Sequence, residues 1–113
     1  MRIDREILHN SYLLILSNEP DPALASLREA LQRAGRSGRP NIWVDCSHMD
    51  ELEDQALTLV MQEASRLRQI GVQVVLCHPP ASCRLPAHTG LPEDQLLIAA
   101  SLLDAEACTR WTN

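Results

Sequence analysis

The chain has 113 residues, 45% of them hydrophobic and 22% charged, with a net charge of −5. That length supports one core without disulfide or metal staples, so residues 1–113 read as a single domain. The acidic balance argues against nucleic-acid binding, and only three aromatics (Tyr12, Trp43, Trp111) are present to stack on bases.

No apolar run approaches the roughly 20 residues that cross a bilayer. The opening Met1-Arg2-Ile3-Asp4-Arg5-Glu6 has no apolar signal core, so the expected setting is cytoplasmic, without direct membrane contact. There, Cys46, Cys77, Cys83 and Cys108 are reduced thiols rather than a disulfide frame. No C-x-x-C occurs, so neither a zinc ribbon nor a thioredoxin-like site is indicated.

In chain order, Arg2 to Ile7 reads as a short strand anchored by Ile3 and Ile7, and His9-Asn10 as a turn. Tyr12-Leu13-Leu14-Ile15-Leu16 reads as a buried strand, and so short a connection forces antiparallel pairing. Asp21-Pro22 opens a helix, since Asp caps free N–H groups and Pro fits the first helical position. Leu24, Leu27, Leu31 and Ala34 then recur at helical spacing. Gly35, Gly38 and Pro40 end it in a basic loop with Arg33, Arg36 and Arg39.

Asn41-Ile42-Trp43-Val44-Asp45 is a strand running into Cys46-Ser47-His48-Met49. A helix follows over about Glu53 to Ile70. Leu57, Val60, Met61, Ala64, Leu67 and Ile70 form one face, and Gln62, Glu63, Arg66 and Gln69 the other. It stops at Gly71, before the strand Val72-Gln73-Val74-Val75-Leu76 and Cys77-His78. Pro79, Pro80, Pro86 and Pro92 forbid a long helix between 79 and 92, which reads as a loop. Leu96 to Ala100 is a last strand, and Ser101-x-x-Asp104 opens a closing helix to about Trp111. The two apolar strands joined by the central helix make a βαβ crossover. The expected fold is α/β: a mixed, mostly parallel sheet of four to five strands with helices mainly on one face.

Residues 41–80 resemble the STAS domain, the family of anti-sigma factor antagonists and sulfate-transporter tails. The family runs apolar strand, Asp-Leu-Ser-x-Val, then x-x-Ile-Asp-Ser-Ser-Gly-Leu, a long helix, Gly, and a strand ending in Pro. Here the pieces are Asp45-Cys46-Ser47-His48-Met49, then Leu52-Glu53-Asp54-Gln55-Ala56-Leu57, Gly71 and Pro79. Tyr12 to Ala34 and Ser101-Leu102-Leu103-Asp104-Ala105 resemble the flanking family segments, so the likeness spans nearly the whole chain. It implies a non-enzymatic regulatory module in the bacterial cytoplasm that binds a protein, such as an anti-sigma factor or kinase-like partner. The family's phosphorylated Ser falls on Gln55, and a one-residue slip places Asp54 there; neither has a hydroxyl, so phosphorylation at that position is not expected.

The expected partner-binding residues are Ser47, His48, Asp50, Glu51, Glu53, Asp54, Gln55 and Thr58. Two accounts of the four carboxylates stand side by side. They stabilise the helix N-terminus, with Asp50-x-x-Glu53 as a capping box, or they imitate a permanently phosphorylated switch. Cys46, His48, Cys77 and His78 are N/S donors on adjacent strand ends. They are read as buried or packing residues with no metal, or alternatively as a zinc, copper or redox-responsive cluster. Asp45 is expected to tie the following turn, and Trp43 to sit in the core with its N–H needing a partner. No nucleophile–base set, Gly-rich phosphate loop or H-E-x-x-H is present, so no catalytic residue and no cofactor is assigned. A rival reading from the same resemblance is an adaptor subunit of a lipid-trafficking ABC transport complex, docked on its ATPase.

Overall fold

A computed structural model describes residues 2–17, 24–80, 97–99 and 102. The described elements are β1 (Arg2–Ile7), β2 (Ser11–Ser17), α1 (Leu24–Gly35), β3 (Asn41–His48), α2 (Asp54–Arg68), β4 (Gln73–Cys77) and β5 (Leu97–Ala99). They build one five-stranded sheet in the order β1-β2-β3-β4-β5. β1 pairs antiparallel with β2, and the other three pairings are parallel. The mixed, mostly parallel sheet of five strands agrees with the sequence expectation. The predicted Asp21-Pro22 helix start and the proline-rich stretch beyond 80 lie outside the described residues. Of the predicted closing helix only Leu102 is described, and it is helical.

Strand alternation divides the apolar residues between two cores. Tyr12, Leu14, Leu16, Ile42, Val44, Cys46, Val74 and Leu76 face α1 and α2, meeting Leu27, Leu31, Ala56, Val60 and Leu67. Leu13, Trp43, Val75, Cys77 and Ala99 face the other way, with Leu102 packed on them. Each fully buried Leu, Ile or Val contributes about 1.5–3 kcal/mol, several times any helix-propensity term, so burial of one stripe is what attaches both helices. α1 and α2 each return the chain to the start of the next parallel strand. Their N-termini therefore lie at the carboxyl ends of the strands and their C-termini at the opposite end.

Three sequence readings change. Glu63 is buried, 7% exposed, rather than on the polar face. It continues the stripe Ala56, Val60, Glu63, Leu67 at spacings of four, three and four. Its Oε2 accepts from Arg66 at 2.7 and 2.9 Å, which keeps the carboxylate partnered. Ile70 lies past the end of α2 and is 62% exposed, and Ile7, on the edge strand, is 55% exposed. Gly35 is the last residue of α1, as the sequence reading has it, and Gly38 beyond it has φ +83°. A Cβ on Gly35 would collide with the Leu67 Cδ2 methyl, so its small size permits close approach of α1 and α2.

The stop at Gly71 holds. The Val72 N–H donates to Leu67 O at 2.9 Å and the Gly71 N–H to Arg68 O at 3.0 Å, a Schellman closure. Gly71 has φ +83°, the left-handed conformation that closure demands.

Candidate functional site

The carboxyl ends of β3 and β4 and the start of α2 form one end of the molecule. Ile15 pairs with Asp45, yet Ser17 pairs with His48, so β3 carries one extra residue there. Such a bulge re-aims side chains, and Ser47 and His48 both turn out to solvent. Asp45, 5% exposed, holds the bulge as expected. Its Oδ1 accepts from the Ser47 N–H at 3.1 Å and its Oδ2 from the Ser47 hydroxyl at 3.0 Å. The Met49 N–H then donates to Cys46 O at 2.9 Å and turns the chain toward α2.

The capping box does not form. Glu53 itself is the N-cap, with φ −63° and ψ 148°, and its side chain makes no cap hydrogen bond. The first helical bond runs from the Leu57 N–H to Glu53 O at 3.0 Å. Asp50 therefore lies three residues ahead of the cap, too early to fill the role. Helix-dipole attraction still favours carboxylates here, by about 0.3–1 kcal/mol each, but capping does not consume the Glu53 carboxylate. Ser47, His48, Asp50, Glu51, Glu53, Asp54, Gln55 and Thr58 are all exposed, while Leu52, Ala56 and Leu57 between them are buried. The structure thus brings the eight partner-binding candidates to one surface.

Two concavities border that surface. A cleft of about 430 Å³ is lined by Cys46, Ser47, Met49, His78, Pro79 and Pro80. His78 has φ +52°, a backbone state that costs a non-glycine residue about 1–2 kcal/mol, and its N–H donates to Ala99 O at 3.0 Å. A groove of about 300 Å³ between α1 and α2 is lined by Arg28, Asp54, Gln55, Thr58, Leu59 and Gln62. Sequence reasoning did not include Arg28, which has no local signal, because only the packing of α1 beside α2 brings it to Gln55. Met49 lies within the strand-end turn that the sequence points to.

The Cys/His constellation is divided by the sheet. Asp45 pairs with Cys77, so Cys46, one residue on, faces the helices while Cys77 faces away. Cys46 and His78 share the cleft, but His48 is exposed beyond it and Cys77 lies in the second core. The set Cys46, His48, Cys77 and His78 cannot close around one ion in this register. Among the described residues no group of three His, Cys, Asp or Glu side chains is placed to hold a metal. Trp43 is in the core at 7% exposure, as expected, and its Nε1 has no hydrogen-bond partner among the described residues. No helix of the described residues is long and apolar enough to cross a membrane.

No protein-family model matches the chain, and no curated protein matches it. Solved structures do. The NMR structure of the protein TM1081 superposes with a TM-score of 0.76 at 15% identity, covering 98% of this chain and 90% of that one. The anti-sigma factor antagonist SpoIIAA in its unphosphorylated form gives 0.69 at 15% identity, covering 97% and 99%. A serine-to-glutamate variant of RsbS from Moorella thermoacetica gives 0.74 at 11% identity, covering 97% and 96%. The chain has the fold of the anti-sigma factor antagonists, the STAS fold.

Proposed function

We propose that this chain is a non-enzymatic, cytoplasmic regulatory module that binds a protein partner through the β3–α2 turn and the first turns of α2. The fold it shares with anti-sigma factor antagonists supports a protein-interaction role. The observation that carries the choice of face is the α2 entrance. Its N-cap side chain makes no cap bond, and Asp50, Glu51, Glu53 and Asp54 stand exposed around it. Carboxylates gathered on one exposed surface steer a basic partner and set its register.

Gln55 occupies the first turn of α2, where the resemblance places the regulatory Ser. An amide there accepts no phosphoryl group, so this module is regulated by a route other than phosphorylation at Gln55. The Ser47 hydroxyl donates to Asp45, whose carboxylate also accepts the Ser47 N–H, so both groups are engaged in shaping the turn.

The test is affinity capture from the native host with mass spectrometry, using the wild type beside Glu53→Lys/Asp54→Lys. Both side chains are exposed, so the substitutions spare the core. The reading expects a partner with the wild type and its loss with the double variant. Equal capture by both would move the docking face elsewhere. The partner's identity separates an anti-sigma or kinase-like protein from a transporter ATPase.

A further inference from the structure

Among the described residues, the end opposite the candidate site is its chemical complement. Every one of the ten basic side chains is Arg. Arg33, Arg36, Arg39, Arg66 and Arg68 gather where α1 and α2 end and β3 and β4 begin. Gly35 against Leu67 holds the two helix ends together, and Arg39 is tied to the β1–β2 turn by its Nε donating to Leu8 O at 3.4 Å. Glu29 holds Arg33 at 2.9 Å and Glu63 holds Arg66 at 2.7 Å. Arg36 is exposed and makes no ion pair with a described carboxylate. Helix dipoles account for cations in the last turns, but not for Arg36 and Arg39, which lie beyond α1.

Apolar side chains add to this end. Of the three large hydrophobics exposed among the described residues, Ile7, Ile70 and Ile98, the first two lie here. Arg is enriched at interfaces, and Ile70, 62% exposed, adds apolar area to the same end. At the other end, the acidic turn from Asp50 to Asp54 borders the cleft whose lining includes Met49, Pro79 and Pro80. One end thus presents guanidinium groups and a protruding Ile, and the other presents carboxylates and a cavity. Guanidinium–carboxylate pairs are the directional, bidentate kind.

We propose that the chain associates with a second copy of itself head to tail, the Arg36/Arg39/Ile70 end of one copy docking on the acidic α2 entrance and strand-end cleft of the next. The contact is heterologous, since each surface meets a different one, so nothing closes it at a dimer and it propagates with concentration. It covers the α2 entrance, and self-association therefore competes with any other partner for that face. The inference stands on purified protein alone and does not depend on the partner reading.

Sedimentation velocity over a concentration series tests it, in about 0.05 M and about 0.5 M salt, because exposed charge pairs weaken as the screening length shortens. The wild type is expected to grow in size with concentration at low salt, with apparent affinity at least about tenfold weaker at high salt. Arg36→Gln/Ile70→Gln removes one surface and Glu53→Gln/Asp54→Gln the other, all at exposed positions. Each variant alone is expected to stay monomeric. Their equimolar mixture is expected to stop at a dimer, because each contributes one intact surface. Ile70→Gln alone serves if the first double variant does not fold, with the same monomeric outcome expected. A wild type that stays monomeric at both salts overturns the proposal, as does a variant that associates like wild type or a mixture that forms no dimer.

Discussion

The Glu63–Arg66 pair gives a test of how α2 is held, because its two ends sit in different solvents. The Glu63 side chain is 10% exposed and the Arg66 side chain 49%. Removing Arg66 strands a carboxylate among Ala56, Leu59, Val60 and Leu67, whereas removing Glu63 releases a guanidinium already half in water. A buried group that loses its partner costs about 1–3 kcal/mol, more when charged, and a broken fully buried pair about 3–5 kcal/mol. With one end half-exposed, Arg66→Ala should cost about 2 kcal/mol. Glu63→Met replaces the carboxylate with an apolar side chain inside an apolar stripe and should fall within about 1 kcal/mol of wild type. For a domain of this size 1 kcal/mol corresponds to about 4 °C, so Arg66→Ala should melt about 8 °C lower and Glu63→Met within about 4 °C. Urea unfolding of both, with the double variant, completes the cycle. Equal destabilisation by the two single changes would refute the burial argument.

Three further outcomes follow from the packing. Trp43→Phe removes an indole N–H that has no partner among the described residues, so it should be neutral or stabilising by up to about 1 kcal/mol; a loss above about 2 kcal/mol in urea unfolding would mean the N–H is bonded in solution. Gly35→Ala gains about 1 kcal/mol of helix propensity but forces the Leu67 methyl aside, which costs about 1–3 kcal/mol, so a net loss of about 1 kcal/mol is expected; a gain would show that Leu67 yields freely. Asp45→Ala leaves the Ser47 N–H and hydroxyl without their acceptor and should cost about 1–3 kcal/mol while accelerating amide exchange at Ser47; unchanged exchange there would contradict the Asp45 anchor.

Much of the fold was legible because it rests on short-range rules. Continuous apolar runs mark the strands, the tight His9-Asn10 turn forces antiparallel pairing, and Gly71 marks the Schellman closure of α2. The misplaced side chains of Glu63 and Ile70 have local causes within α2. Glu63 was placed by its charge although its spacing from Ala56, Val60 and Leu67 put it on the buried stripe. Ile70 was placed by hydrophobicity although the helix had already ended. The alternative Cys/His cluster rests on two adjacent strand ends, and the pairing of Asp45 with Cys77 sends the two thiols to opposite sides of the sheet. The candidate site was more legible than its borders. The strand-end turn and α2 entrance are contiguous in sequence, whereas Arg28 joins them only through α1–α2 packing.

The central claim is that the β3–α2 turn and the start of α2 form the docking face. Amide hydrogen exchange of the captured complex against the free chain tests it most directly. The account predicts slowed exchange across residues 47–58, with the arginine end unchanged at concentrations low enough to keep the chain monomeric. Protection confined to other parts of the chain would contradict it.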